Sequence, residues 1–504
     1  MEGLEARARD VLSLIGSFRN MLQPVNRLPP EIFSRIVQDI PHPLIGDTSS
    51  IIVLTHVCRY WRETIVSTPG NWTMISSWNE DLMALSLERS KAAPLTLRLR
   101  TNEVEGMSGF SDLIIRYIKN VKNLRIDDIY TAGQVTQILP GFPQSMPILQ
   151  SLDLQGIMCE EWDQSIDPFG QFPLTPRYLR LVDFPLYPSL LRLRALTELV
   201  IGNYDINLDL HLDTLLDFLA VSHSLESATL HINFAESSLR RSRRRTATGN
   251  QLQYLLIRYR DVMDGKALVS NIALRRGARL EIDCRHEATS FNDFFSGIPT
   301  THLSNLPLPT SITYESTGRI IRLLGPNGSF SFGKTVSSHD PFIEFPLLPL
   351  TNIRKFHLIH SARLRGPTPV LPVFQPSFFP ALETFTIDCD VSVSHLLSNV
   401  LSNPSSLPSL ETLGFLDCDL SADFMEALAK FASDRKNTTS SLLNRVVIVN
   451  SSGNFPSALS TDALGKHVPV VDVSVGSQLP GDLVWKEFGR YTGLPTSSAW
   501  RGRL

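Results

Sequence analysis

A short pattern of apolar residues recurs along most of this chain. Two apolar positions are separated by one other residue, and a third apolar residue often stands three positions earlier. The clearest copies end at Leu154, Ile201, Ile257, Ile387 and Phe415. Because alternate residues of a β-strand face the same side of a sheet, each copy predicts a short strand with one apolar face. The pattern therefore predicts a fold built on one repeated strand.

The spacing of the copies is nearly constant. Successive last apolar positions are separated by 27, 28, 27, 20, 29, 27 and 25 residues, then by 76, and then by 29, 28 and 33. These positions are Leu99, Ile126, Leu154, Leu181, Ile201, Leu230, Ile257, Ile282, Leu358, Ile387, Phe415 and Ile448. Steps of about 20 to 29 residues are typical of leucine-rich repeats, in which each unit contributes one strand and a return helix or turn.

Helices are predicted between the strands. The candidate segments are Asp112 to Asn120, Leu212 to Ser222, Lys266 to Arg276, Val393 to Leu401 and Asp423 to Lys436. The alternation predicts an α/β fold, a leucine-rich-repeat-like solenoid of short parallel strands and helices. A generic α/β domain is the alternative, because its strands carry similar apolar runs.

We assign the array to residues 76–455, with an irregular or inserted segment near 284–350. Copies of the pattern are weak there, at Ile312 and Tyr314 and near Ile321 and Leu323. Residues 456–504 contain no clear repeat, and we assign them as a C-terminal tail or cap.

Residues 1–25 predict an amphipathic helix that Pro24 ends. Its apolar positions follow alternating steps of four and three, as in a heptad pattern. They are Leu4, Ala8, Val11, Ile15, Phe18 and Leu22. The helix either packs onto the segment that follows or forms a short coiled coil or dimer contact. Three heptads are marginal for a free coiled coil, which favours packing.

Residues 26–75 predict a small helical module. The run L-P-P-E-I-F suits a helix N-terminus, because proline fits the first turn and glutamate interacts with the helix dipole. Pro41-His42-Pro43 ends this helix. A second helix is predicted from the apolar stripe Leu54, Val57, Cys58, Trp61 and Ile65. The pattern alone assigns no function to the module.

The residue identities in this module resemble an F-box of the fungal (basidiomycete-like) type. L-P-P-E-I-F is followed by T-H-V-C-R-Y-W-R and then by S-T-P-G-N-W, in the expected order and spacing. The resemblance implies a three-helix F-box that binds a Skp-type adaptor and, through it, a cullin. The residues that would contact the adaptor are Leu28, Pro29, Ile32, Ile36, Leu54, Val57 and Trp61. The proline-containing segment between Asp39 and Ser50 departs from the family pattern.

Charge and hydropathy limit the other function classes. Lys and Arg number 47 against 50 Asp and Glu, a formal net charge of -3, so we expect no general attraction to nucleic acid or membrane. The arginine run at 240–245 suits a nuclear import signal, an acidic partner or a solvated loop. Charged residues near the start disfavour a secretory signal, and no apolar run reaches the roughly 18 residues that span a bilayer. We expect a cytoplasmic and/or nuclear protein.

No catalytic motif fits its required structural context in this sequence. The five cysteines are widely separated, and His357 and His360 lie three apart on a predicted strand, so they point to opposite faces. We therefore expect no enzymatic activity, no metal site and no cofactor.

The leading hypothesis is a substrate-receptor subunit of a Skp-cullin-F-box ubiquitin ligase, whose array binds an unknown target protein. The alternative is a repeat scaffold, or an F-box protein that acts outside the ligase. Strand residues between the apolar positions would face the concave surface of the array. These include Arg98, Arg125, Asp153, Arg180, Thr229, Glu281, His357 and Thr386, and Arg100, Asp127, Arg258 and Asp388 lie just beyond. Arg98, Arg100, Arg125 and Arg180 gather at the early end of the array. Because guanidinium groups suit phosphate, these arginines are candidates for binding a phosphorylated or acidic target.

Overall fold

The computed structural model describes most of the chain in two compact units, one within Met1–Asp209 and the other within Leu210–Thr492. The residues described are 2–39, 49–76, 79–104, 110–131, 134–135, 138, 146–157, 167, 169, 176–187, 189–190, 193–202, 210–234, 247–249, 251–259, 261–274, 277–284, 310–315, 320–325, 328–334, 350–360, 374, 376–389, 393–394, 396–418, 420–438, 442–450 and 458–475.

The first unit begins with helices. They are α1 (Glu2–Leu22), α2 (Pro30–Asp39), α3 (Ser49–Thr55), α4 (Arg59–Ser67) and α5 (Glu80–Ser90). The apolar stripe from Leu54 to Ile65 predicted one helix, and that prediction is wrong. The helix is interrupted between α3 and α4, where Cys58 has an extended backbone with φ -159° and ψ 173°.

A parallel sheet follows the helices in the first unit. Its strands are β1 (Met74–Ser76), β2 (Leu95–Arg100), β3 (Val121–Ile129), β4 (Ser151–Gly156), β5 (Tyr178–Val182) and β6 (Glu198–Gly202). Each strand pairs in parallel with the next one along the chain. Helices α6 (Thr101–Val104) and α7 (Phe110–Tyr117) lie between β2 and β3 in sequence.

The strand register confirms the repeat period. The residues Leu99, Ile126, Leu154, Leu181 and Ile201 lie beside one another on successive strands. Each is at most 3% exposed, so the sheet presents a continuous buried apolar row. Burying one such side chain stabilises the fold by roughly 1.5–3 kcal/mol, and each strand depends on its neighbours for that burial.

The second unit contains a larger, mostly parallel sheet. Its strands lie in the order β7 (Ser227–Ile232), β9 (Tyr254–Tyr259), β11 (Arg279–Cys284), β14 (Gly328–Lys334), β13 (Ile320–Gly325), β12 (Ser311–Glu315), β15 (Lys355–His360), β16 (Thr384–Cys389), β17 (Thr412–Leu416), β18 (Arg445–Asn450) and β19 (Val470–Val475). A separate pair joins β8 (Ala247–Gly249) to β10 (Ile272–Leu274).

Helices separate these strands along the chain. They are α8 (Leu212–Val221), α9 (Val262–Asn271), α10 (Ser398–Leu401), α11 (Ala422–Thr438) and α12 (Ala458–Gly465). Helix α9 begins earlier than the predicted Lys266, because the Asp261 carboxylate caps it by accepting a hydrogen bond from the Met263 amide at 2.7 Å. It also ends earlier than the predicted Arg276, since β10 begins at Ile272.

The segment near 284–350 interrupts the parallel order. Strand β13 runs antiparallel to both β12 and β14, whereas β14 is parallel to β11 and β12 is parallel to β15. Tyr314 lies beside Leu358, as the repeat predicts, and Phe332 lies beside Ile282. The prediction of a repeat copy at Ile321 and Leu323 is wrong, because their strand runs in the opposite direction.

The sheet continues beyond residue 455. Strand β19 pairs in parallel with β18, and Val473 lies beside Ile448 in the apolar row. The sequence did not predict this strand, because Val471 and Val473 lack the leading leucine of the other copies.

Aspartates with a left-handed backbone lie at or near the ends of several strands. Asp128, Asp183 and Asp417 have φ values of 63°, 47° and 53°, and each follows the last apolar position of its strand by two residues. Aspartate tolerates this left-handed conformation better than most residues. The amides of Asp183 and Asp417 donate to Gly202 and Val449 on the adjacent strand at 2.7 and 2.9 Å.

A buried arginine holds the segment before β17. Arg435 on α11 is fully buried, and its guanidinium donates to four backbone carbonyls. These belong to Pro404, Leu407, Pro408 and Leu410, at 3.1, 2.7, 3.3 and 2.8 Å. The side chain replaces hydrogen bonds that this irregular segment cannot make to itself.

Arg435→Met should lower the free energy of unfolding by about 3 kcal/mol, because buried carbonyls lose their donors while apolar volume is kept. Urea unfolding of the full chain measures this. Lys436→Met removes an exposed cation from the next position of the same helix and should change stability by less than about 0.5 kcal/mol. Equal losses in the two variants would contradict this role for Arg435.

Candidate functional site

The helical module has its own apolar core. Phe33 and Val37 of α2 pack with Ile51 of α3, Ile65 of α4 and Trp72, and all five are at most 2% exposed. The Trp72 indole donates to the Ile65 carbonyl at 2.9 Å, and the Arg89 guanidinium lies 4.5 Å from its ring centroid. These contacts fix α2, α3 and α4 around one centre.

Three of the residues predicted to contact the adaptor pack against this core. Leu28, Leu54 and Trp61 are partly buried against it. The Trp61 ring lies 4.7 Å from the Phe33 ring, and its indole donates to the Asn26 side chain at 2.6 Å. These contacts give Trp61 a structural role within the module.

The other predicted adaptor contacts lie on the surface. Pro29 is exposed, and the exposed fractions of Ile32, Ile36 and Val57 are 52%, 44% and 54%. The sequence analysis missed Val53, which is 65% exposed on α3. Because Ile32 and Ile36 are four residues apart, they share one face of α2. We call Ile32, Ile36, Val53 and Val57 the exposed apolar set.

Three of the four candidate target-binding arginines occupy one row of the sheet in the first unit. Arg98, Arg125, Asp153 and Arg180 lie beside one another on β2, β3, β4 and β5. Asp127 lies two residues beyond Arg125 on β3. We call these five residues the arginine–aspartate ladder.

Two buried aspartates bind the three ladder arginines. Asp127 accepts from the Nε atoms of Arg98 and Arg125, both at 2.6 Å. Arg180 donates to both carboxylate oxygens of Asp153 at 3.0 Å, and Arg125 lies 3.6 Å from the same carboxylate. Three cations thus share two anions, which leaves one formal positive charge on the ladder.

Burial and ion pairing act on the protonation of the ladder in opposite directions. Burial raises the pKa of the Asp153 carboxyl, although Arg180 and Arg125 oppose this change. Burial also acts to lower the pKa of Arg125, but Asp153 and Asp127 outweigh it and raise that pKa. Arg125 therefore stays charged, and its guanidinium is held by carboxylates of its own sheet.

Arg100 differs from the other candidate arginines. It stands at the end of β2, its side chain is 47% exposed, and it pairs with Glu103 at 3.3 Å. Glu103 is only 22% exposed, so the part of this pair that an acidic ligand can contact is the Arg100 guanidinium. Of the four candidates, Arg100 is the most accessible to a target.

The second unit also has polar contacts between side chains of neighbouring strands. His231, Arg258 and Asp283 lie in register, with Arg258 2.9 Å from the His231 imidazole and 3.1 Å from the Asp283 carboxylate. The Cys389 and Cys418 sulfurs lie 3.6 Å apart, and burial raises the pKa of Cys418. The arginine run 240–245 lies outside the described residues.

Within the described part of the chain, no group of three or more His, Cys, Asp and Glu side chains is arranged to hold a metal ion. Among the same residues, no helix combines the length and the apolar character needed to cross a membrane.

Similarity to known proteins is confined to solved structures. No family model matches the chain, and no curated protein matches it. Among solved structures, 24 chains match. One is the leucine-rich repeat-containing protein LegL7 from Legionella pneumophila, at 12% identity, covering 73% of this chain and 98% of that chain. Its TM-score is 0.23.

Asp127→Asn should lower the free energy of unfolding by about 2–3 kcal/mol, because Arg98 and Arg125 lose a shared buried charge. Asp128→Asn is the matched control, since the next residue is less buried and has a φ that asparagine also tolerates. Chemical denaturation of both variants measures the difference. An Asp127 variant as stable as the control would show that the ladder does not stabilise the sheet.

Proposed function

We propose that this chain is a substrate-receptor subunit of a Skp-cullin-F-box ubiquitin ligase. Helices α2, α3 and α4 act as the F-box that binds a Skp-type adaptor, and the parallel strands form a solenoid that binds a target protein. The exposed apolar set is the observation that carries the proposal. The protein then acts in the cytoplasm and/or nucleus, where its partners would be.

The exposed apolar set lies outside the buried core of the module. Phe33 and Val37 supply the buried face of α2, whereas Ile32 and Ile36, one residue earlier in each case, face outward. Polar side chains at these two positions would be compatible with the same core. Exposed apolar side chains on and between short helices are typical of protein interfaces, where aliphatic and aromatic anchors supply most of the binding energy.

The array contributes the second half of the proposed function. Its strands place polar residues in register on one surface, a suitable arrangement for holding another protein across several repeats. No residue of this surface is assigned a catalytic role. Ubiquitin transfer would be carried out by the other subunits of the ligase.

The full chain should capture a Skp-type adaptor during co-purification. Ile32→Glu combined with Ile36→Glu should weaken capture at least tenfold, because two apolar anchors are replaced by charges that must be desolvated. The thermal midpoint should stay within about 2 °C, since both side chains are exposed.

Ile115→Glu in α7 is the matched control, because Ile115 is 50% exposed but lies outside the helical module. It should leave capture intact. Failure of the native chain to capture any Skp-type adaptor would refute the ligase role and leave a repeat scaffold that acts outside the ligase. Capture that survives the double variant would exclude the exposed apolar set as the contact.

The target-binding arginines can be tested with an array of phosphorylated peptides beside their unphosphorylated forms. Arg100→Gln should weaken phosphopeptide binding about three- to tenfold, because Arg100 is the candidate guanidinium that a phosphate can reach most easily. Arg116→Gln, an exposed charge loss on α7, should leave binding unchanged. Equal binding of both peptide forms by the native chain would argue against a phosphorylated target.

A further inference from the structure

Helix α1 exposes its apolar side chains to solvent. The expectation that its stripe packs onto the following helices is wrong for these side chains, which are 55–76% exposed. They are Leu4, Val11, Leu12, Leu14, Ile15, Phe18, Met21 and Leu22. Such a surface on a helix of 21 residues is larger than isolated exposed leucines produce, and it indicates a binding partner.

We propose that α1 is a self-association surface, which pairs with α1 of a second copy in antiparallel orientation. In the heptad pattern, Leu4, Val11 and Phe18 share one core position and Ala8, Ile15 and Leu22 share the other. Antiparallel pairing brings residues of the two positions together, so each core layer combines one member of each set.

Side-chain volumes favour the antiparallel orientation. Phe18 then lies opposite Ala8 of the second copy, so that a large residue fills the space beside a small one. Parallel pairing would instead place Phe18 against Phe18 and Ala8 against Ala8. The phenylalanine layer would then be overpacked, and the alanine layer would contain a void. Well-packed interfaces avoid both situations, because voids and overpacking each cost stability.

The flanking positions favour the same orientation. Antiparallel pairing places Glu5 opposite Arg19 of the second copy, and symmetry produces this opposite-charge pair twice. It also brings Leu12 and Leu14 at the middle of the helix close to their own counterparts. In a parallel pair, Glu5 and Arg19 would be about 21 Å apart along the axis, since they are separated by 14 residues.

The apolar flanking residues explain how a short helix could associate. A strict heptad seam of three repeats is marginal, but Leu12, Leu14 and Met21 widen the contact beyond the two core positions. Gly16 lies on the outer face, and a Cβ added there would meet no atom within 4 Å. A second copy therefore fits this helix in both shape and charge.

Sedimentation equilibrium of the full chain should give twice the monomer mass at micromolar concentration. Ile15→Asp combined with Phe18→Asp should yield a monomer, while the control Ile115→Asp in α7 should remain dimeric. Gly16→Ala should tighten the dimer about fivefold, because alanine strengthens the helix without touching its contact face. Helical circular dichroism of each variant separates loss of association from loss of folding.

A charge exchange tests the orientation. Glu5→Arg alone and Arg19→Glu alone should each weaken the dimer roughly tenfold, because each replaces two attractive pairs with two repulsive ones. The double variant with both changes should regain native affinity.

Three results would overturn the proposal. A native chain that stays monomeric at all concentrations would assign the apolar surface to another partner. A dimer that persists in the Ile15 and Phe18 double variant would place the interface elsewhere. A charge exchange that fails to restore affinity would exclude the antiparallel arrangement.

Discussion

Each strand of the array buries its apolar face because the next strand presents the same face in the same register. Leu154 lies between Ile126 and Leu181, and none of the three is more than 1% exposed. Parallel strands with the same repeat period all align their apolar residues in this way. A single repeat cannot form a core alone, but it becomes stable when it packs between neighbouring repeats. The other features of the sheet follow from this register.

The same register fixes the polar side chains. The residues between the apolar positions also align across the strands. Arg125 therefore lies directly beside Arg98 on β2 and Asp153 on β4. Like charges in adjacent strands would repel at this short spacing. The buried carboxylates of Asp127 and Asp153 prevent this, and the arginine–aspartate ladder keeps one excess positive charge. A target that binds this surface therefore meets arginines already held in position, with Arg100 the most accessible.

The sequence predicted the parts of the structure that depend on period. Leu99 and Phe415 belong to the predicted strands, and a mixed α/β fold with parallel strands was confirmed. The sequence analysis missed the antiparallel direction of β13, because the apolar alternation at Ile321 and Leu323 is the same whichever way the strand runs. It missed the break at Cys58 for a related reason, since a helical stripe continues through a short extended turn. The arginines were located, but their pairing required the strand register.

The N-terminal helices show that an apolar stripe does not determine which of its side chains are buried in the core and which are exposed. In α2, Phe33 is buried and Ile32 is exposed, yet both are equally suited to a core or to an interface. In α1 the whole stripe is exposed to solvent, which leaves it open to the partner proposed above. If that partner is a second copy, one dimer carries two adaptor surfaces and two arrays. Two linked weak sites bind a paired target more tightly than either alone, because the second contact becomes intramolecular. Self-association through α1 would then raise target affinity without any change in the array.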